Sequence, residues 1–524
     1  MRVTGHGRRG LTIWATLLLV VAGLSGCGLP ANPSAKAQQA AAKIHRGGTL
    51  TVGLNATFNG LDPDLQPNQA VAWIDSLVYS RLLRFTPSLK LVGDLAQSWK
   101  QTSPTSYVFQ LRRGVSFQDG GTVTASDVVY SLERVMNPAT ADANAATFSA
   151  IKTVAATGPY TVKITLAQPD AAILLALATY AASVVSPSAV SAHGTLNTVM
   201  DGSGPFWFGS EPSSTEIVLN RNPHYYMKGE PYLNKLVISG IEDQNARVNA
   251  LLSGGEDLVN FVPAQSVAEI KASNDIVGPG TAGNFYALMM FEQKAPFNNV
   301  DVRKAIMYAL NRKAIFAAST LGQGTILYGG PIPTFNPYAL KANLYTSANL
   351  AKAKTLMRAS GVAPFTTTLG LWAPQTYAVT AAQVIQQELK PLGITVVIQQ
   401  YGDYPSYNQA VFVNHQTGLT IQGFGGNLDP DSWLYRTFTS KGGYNFFGYS
   451  NATVDKLLAQ ARGASKISTR YNLYAQAQKI IATNGPMAFL FSYSEPEAWN
   501  ASVHGFQHYP DVSLDGLVTT WIGH

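Results

Sequence analysis

Residues 379–398 read VTAAQVIQQELKPLGITVVI. The first part has the spacing of a helix, which Pro391 and Gly393 end, and ITVVI follows at once as a run expected to be a buried strand. A helix feeding directly into such a strand is the building unit of α/β folds with mostly parallel sheets. The second half of the chain repeats the theme. A helix from Asp301 turns Val302, Ala305, Ile306 and Ala309 to one side. Another, capped by Ser450 or Asn451, turns Val454, Leu457, Leu458 and Ala461 inward and closes at Gly463, and residues 469–482 form one more.

The first half is richer in strands. Gly47-Gly48 opens TLTVGL, in which Leu50, Val52 and Leu54 alternate, and Tyr107, Phe109 and Leu111 alternate in the same way. Residues 160–166, 217–219 and 236–238 read as further strands. Helices are expected over 71–84, from Thr124 (where Asp127 completes a capping box), and from Asp243 to Gly254-Gly255. No fixed-period repeat is present, and 524 residues exceed one ordinary domain.

The N-terminus has a different character. Arg2, Arg8 and Arg9 precede an apolar run from Leu11 to Leu24, then Leu24-Ser25-Gly26-Cys27. This is the layout of a secretory signal peptide over residues 1–26, and its end resembles the lipobox of bacterial lipoproteins. The alternative is a single-pass anchor, but the run is shorter than the roughly 20 residues a span needs. On the lipoprotein reading Cys27 is lipidated and becomes the first residue. Residues 27–46 are then a flexible tether that holds the body at the outer face of the cytoplasmic membrane. Arg8-Arg9 matches a twin-arginine signal only in part.

Composition narrows the function. The net charge of +7 falls to +4 once the three signal arginines leave, and no Lys/Arg run points to nucleic acid. Cys27 is the only cysteine, so no disulfide is expected. Aromatic residues make up 10% against only 13% charged, which suits a large polar-aromatic cavity. The chain carries no G-x-S-x-G elbow, no H-E-x-x-H and no phosphate-binding G-x-x-x-x-G-K-[ST] loop. Its eight histidines are scattered without strong ligand spacing. Glu242-Asp243 and Glu256-Asp257 are adjacent pairs whose side chains point apart. No metal, no cofactor and no enzyme activity are expected, which leaves a secreted hydrolase as the weaker alternative.

Several stretches, in order, carry a resemblance. They are Gly47-Gly48-Thr49-Leu50 with Leu61-Asp62-Pro63, LVYSRLLRF, LVGDLAQSWK, YVFQLRRGVSFQDGGTVTASDVVYSLERV (107–135), GSGPFWF, LNRNPHYY, FNNVDVRKAIMYALNRKAI, LKPLGITV and YSNATVDKLLAQA. The chain resembles the extracytoplasmic solute-binding proteins of ABC importers, family 5, of the oligopeptide/dipeptide type. The resemblance implies an α/β chain with the type II periplasmic-binding-protein fold: two lobes joined by two crossing strands, with an extra subdomain in the first lobe. Lobe one would hold residues 47–280 and 485–524, with the insertion at about 65–205, and lobe two residues 281–484. It further implies a monomer that closes on a small-molecule solute, a peptide by default, and presents it to an ABC permease and ATPase complex. An oligosaccharide or another non-peptide solute is the alternative cargo, and a signalling or adhesion role on the same fold is a third reading.

Carried over position by position, the resemblance puts the solute against Asn68, Gln69 and Phe148 in lobe one, and Trp372, Tyr377 and Tyr404 in lobe two. The loop GFGGNLDPDSW (423–433) adds Phe424, Gly425, Asn427, Asp429 and Trp433. In the family a Gly-Trp-x-x-Asp segment places an aspartate on the α-ammonium group of a peptide. Here Phe424 replaces the tryptophan and Asn427 the aspartate. A neutral amide cannot supply that charge-assisted contact. Two readings stay open for Asp429-Pro430-Asp431: a carboxylate shifted into the ammonium site, or a capping turn ahead of Trp433.

Overall fold

The computed structural model describes residues 44–523 apart from 59, 66–68, 143, 210–212, 280–283, 335, 337, 425–428, 465, 494–495 and 510–512. The expected signal peptide, Cys27 and the tether up to residue 43 lie outside the described residues, as do Asn68, Gly425 and Asn427.

The opening stretch folds as read, with one change. The helix Thr376–Leu389 passes through a short turn at Lys390–Leu392 and leaves at Gly393, whose φ of 77° suits a residue without Cβ. The strand Ile394–Tyr401 then pairs in parallel with Phe365–Trp372, Val396 opposite Thr367. That strand is an edge of its sheet, not a buried interior strand. Ile394 and Val396 point inward, while Val397 is 48% exposed.

Two mixed sheets organise the body. The first runs, edge to edge, Ile276–Val277, Ala498–Trp499, Leu258–Val259, Thr49–Leu54, Lys235–Gly240, Glu216–Arg221 and Phe206–Phe208. The second runs Thr325–Ile326, Met487–Ser492, Phe285–Met290, Leu419–Phe424, Phe365–Trp372 and Ile394–Tyr401. The expectation of mostly parallel sheets is corrected. Parallel pairing is confined to Thr49–Leu54 with its two neighbours and to Phe365–Trp372 with its two. The remaining pairs are antiparallel: those of Phe285–Met290 and Ala498–Trp499 because these strands arrive from the other sheet in the opposite sense, and Phe206–Phe208, Glu216–Arg221 and Lys235–Gly240 because they follow one another as a meander. The chain passes between the sheets twice. On one side of this passage Ile276 lies opposite Trp499, and on the other Tyr286 lies opposite Phe491. The second passage follows Ser492, beyond residue 484 where lobe two was expected to end.

A four-stranded antiparallel sheet, Ala96–Ser103, Ser106–Leu111, Thr161–Leu166 and Ile151–Gly158, forms the inserted subdomain with the helix Ala125–Met136. Asp127 opens that helix, accepting from the Thr124 N–H at 2.7 Å and the Thr124 hydroxyl at 2.8 Å. The helix expected over 71–84 covers only Gln69–Val78. Beyond it the backbone finds other partners: the Arg81 N–H donates to Asp94 at 2.8 Å, and Leu83–Phe85 pairs as a strand with Leu91–Gly93.

The strand Phe285–Met290 shows how the second sheet divides its core. Tyr286, Leu288 and Met290 enter one apolar cluster, and Phe285, Ala287 and Met289 enter the cluster on the opposite face. Each of these six residues is at most 3% exposed. Among the described residues no helix is long and apolar enough to cross a membrane, and no group of His, Cys, Asp and Glu is placed to hold a metal.

Candidate functional site

The helix Pro430–Phe438 leaves the loop that the sequence singles out, and Asp429 is its N-cap. The Asp429 carboxylate accepts from the Asp431 N–H at 2.9 Å. It is also gripped by Arg470, with Nη1 at 2.8 Å and Nη2 at 2.7 Å. Asp431, buried, receives Arg462 through Nε at 3.0 Å and Nη2 at 2.7 Å. The Arg462 guanidinium lies 3.6 Å from the Tyr435 ring centroid and 3.9 Å from Asp170 of the inserted subdomain. Burial pushes the Asp431 carboxyl up to about 6 even against the Arg462 charge. Each carboxylate thus has its own bidentate arginine, and the Asp-Pro-Asp run is built as a helix cap. Neither side chain is left over for a solute ammonium group.

Aromatic residues make the surrounding wall. Phe424 stacks on Phe285 at 5.1 Å, and Trp433 meets both rings edge-on at 6.3 and 5.7 Å. Trp372 meets Tyr404 edge-on at 5.4 Å. Trp372, Phe424 and Trp433 all pack on the cluster that holds Phe285, and Tyr404, 42% exposed, extends that wall outward.

Other expected residues fall elsewhere. Phe148 is fully buried in the core of the inserted subdomain, so its ring is packing and not a cleft rim. Tyr377 belongs to the opposite face of the second sheet, 4.6 Å from Tyr286, away from the Trp372 wall. It borders a crevice with Gln244, Phe261 and Val262 where the two sheets meet. Gln69 is the exposed first residue of its helix.

The sequence reading missed a face between the inserted subdomain and the second sheet. Asp142 and Asn144 sit on a turn there, with the Asn144 N–H donating to Asp142 at 2.7 Å and the Asn144 amide 3.4 Å from the Tyr180 hydroxyl. Opposite them stands Arg436, its guanidinium 4.1 Å from the Tyr444 ring centroid. Burial raises the Asp142 carboxyl to about 6, held back by the Asn144 hydrogen bonds and the charges of Arg134 and Arg436. Arg436 stands in the last turn of the helix Pro430–Phe438, where the dipole favours a cation, and no local feature of the sequence sets it apart.

The geometry is matched by known proteins. The family model described as "Bacterial extracellular solute-binding proteins, family 5 Middle" matches residues 90–446. The glutathione-binding protein GsiB of Pectobacterium atrosepticum is 28% identical over 479 residues, covering 88% of this chain and 92% of its own. The binding protein AgaA of A. tumefaciens R10, solved with agropinic acid, superposes with a TM-score of 0.82 at 27% identity, over 91% of this chain and 99% of that one. DppA of Helicobacter pylori, solved with the peptide STSA, gives 0.84 at 25% identity, over 94% of this chain and all of that one (100%).

Proposed function

Because this chain belongs to family 5 of the bacterial extracellular solute-binding proteins, the oligopeptide/dipeptide type of ABC importers, we propose that it is a lipid-anchored receptor. It captures a peptide or peptide-like solute between its lobes and hands it to an ABC permease and ATPase complex. Its fold is the type II, two-lobed one of that family, and its relatives are binding proteins. We place lobe one at 47–280 with the residues after Ser492, lobe two from 281 through Ser492, the insertion at about 65–205, and the solute against the Trp372, Tyr404, Phe424 and Trp433 wall.

The observation that carries the solute class is the double ion pairing of the loop. With Asp429 committed to Arg470 and Asp431 to Arg462, the cleft loop offers no carboxylate to a peptide's amino end. The receptor therefore accepts solutes whose amino end is blocked or modified. Main-chain hydrogen bonds and side-chain pockets supply the affinity, as in other extended-peptide sites. Relatives matched above are named for glutathione or solved with agropinic acid, so the fold is used for more than unmodified peptides.

Calorimetry of the full chain against short peptides, each with a free and an acetylated amino terminus, tests this. The two forms are expected to bind within about threefold of each other. Tight binding of the free form alone would overturn the reading of the loop, and no binding of either would point to non-peptide solutes. The anchor has its own test. Cys27→Ala is expected to abolish incorporation of a labelled fatty acid and to move the protein from the membrane to the soluble fraction. Unchanged labelling would refute the anchor.

A further inference from the structure

Two polar groups of opposite charge face each other between the inserted subdomain and the second sheet with hydrogen-bonding capacity unspent. Arg436 Nε and Nη2 are buried and have no hydrogen-bond partner among the described residues. The same holds for Asp142 Oδ2, on a residue only 6% exposed. Buried polar groups in native proteins are overwhelmingly paired, and a guanidinium cannot escape the cost by losing its proton.

Other buried arginines of this chain show what a structural arginine does. Arg303, although its Nε has no partner among the described residues, donates through both terminal nitrogens to the Phe297 and Asn484 carbonyls at 2.7 and 2.8 Å. Arg312 donates to the Phe489 and Met307 carbonyls at 2.7 and 3.1 Å. Arg462 and Arg470 each take a carboxylate through two nitrogens. Arg436 instead lies over the Tyr444 ring at 4.1 Å, a contact that gives its Nε and Nη2 no hydrogen-bond acceptor. Arg436 and Asp142 feel each other's charge yet share no hydrogen bond. Two opposite charges with buried polar atoms that stop short of bonding leave room for a group of complementary chemistry between them.

Resting on the receptor reading above, we infer that Arg436 receives a carboxylate of the solute, while Asp142 and Asn144 take the N–H or O–H group beside it. The fork of Nε and Nη2 matches the two oxygens of a carboxylate. The amino-end contact that the 423–433 loop does not supply is replaced, on this view, by an acid-end contact on a different face. One half of the grip comes from the inserted subdomain and the other from the helix Pro430–Phe438 packed on the second sheet, so the grip is complete only with the two together.

The test compares trialanine with trialanine amide, which differ only at the carboxylate, in the wild type, Arg436→Gln and Arg436→Lys. The wild type is expected to favour the free acid by roughly 10–100-fold, the range for a hydrogen bond to a charged group. Arg436→Gln should bring the two ligands within about threefold. Arg436→Lys should keep part of the preference, since it keeps the charge and loses the fork. A melting temperature close to wild type would show that the variants fold. Equal binding of acid and amide by the wild type, or an unchanged ratio in Arg436→Gln, would overturn the inference and leave the receptor intact. If neither ligand binds, the peptide reading fails instead, and the Arg436 Nε–Hε NMR signal decides the inference. A saturable shift with acetate and none with acetamide supports it, and no shift with either overturns it.

Discussion

Replacing Arg462 by methionine is expected to lower the stability of the folded chain by about 3–5 kcal/mol, the usual cost of removing one partner from a buried ion pair. The reason is the company this arginine keeps. It donates to Asp431 through two nitrogens, stands 3.9 Å from Asp170, and its main-chain carbonyl accepts the Ala171 N–H at 2.9 Å. Both carboxylates are buried, at 3% exposure each, so methionine would leave two anions in a medium that solvates them poorly. The loss should shrink in acid. Burial already raises the Asp431 carboxyl to about 6, above its unfolded value. A group raised in this way favours the folded state at low pH and withdraws that support as pH climbs through its folded value. Without Arg462 the folded value rises further, so the variant should gain stability from pH 8 to pH 5 more steeply than the wild type. Urea unfolding at the two pH values measures this, with Arg462→Met/Asp431→Leu as the companion that should recover part of the loss. A cost under about 1 kcal/mol at pH 8 would mean that the pair is solvated and merely decorative.

The second large effect comes from a methyl group. Gly202 opens the GSGPFWF stretch and lies against the end of the helix Gln69–Val78. A Cβ there would sit 2.0 Å from the Val78 carbonyl oxygen and 2.8 Å from its carbon, main-chain atoms that cannot swing aside. The same carbonyl accepts the Gly204 N–H at 2.8 Å, and the Gly202 carbonyl accepts from Gln118 at 3.1 Å, so relief on one side breaks a contact on the other. Gly202→Ala is expected to cost about 3 kcal/mol, at the upper end of overpacking effects. Gly402→Ala, where a Cβ would meet nothing within 4 Å, is the control and should stay within about 0.5 kcal/mol. Equal melting temperatures for the two variants would show that the segment yields more readily than its contacts imply.

Much of the architecture could be read before any coordinate. The unit from Thr376 to Tyr401 follows from local periodicity and two punctuating residues, and the Thr124–Asp127 cap follows from short-range chemistry. What escaped was non-local. The helix expected to run to residue 84 stops at Val78 because Asp94 and the strand Leu91–Gly93 claim the backbone beyond it. ITVVI is apolar enough for a sheet interior, but it sits at an edge because, among the described residues, no further strand pairs beyond it. At the site, aromatic residues gave an ambiguous signal: Phe148, Tyr377 and Trp372 are alike in composition and differ only in which side of a sheet they meet. The Asp-Pro-Asp cap was legible as one of two readings, whereas its arginines lie 31 and 41 residues away and carry no local mark. Asp142 and Arg436 come from distant parts of the chain and meet only in three dimensions.

The paired passages between the two sheets have a mechanical meaning. A single connection would let one half swivel, tilt and twist about it. Here two connections link the sheets, each leading from hydrogen-bonded strands of one to those of the other, Ile276 against Trp499 and Tyr286 against Phe491. Such a double link acts as an axle and leaves mainly one angular coordinate free. A body with one soft coordinate has little freedom to surrender when a guest arrives, so less of the contact energy is consumed in ordering. For the receptor cycle proposed above, it would also bring the same residues face to face each time. A receptor built this way can tolerate variety in what it carries while repeating the same movement each time.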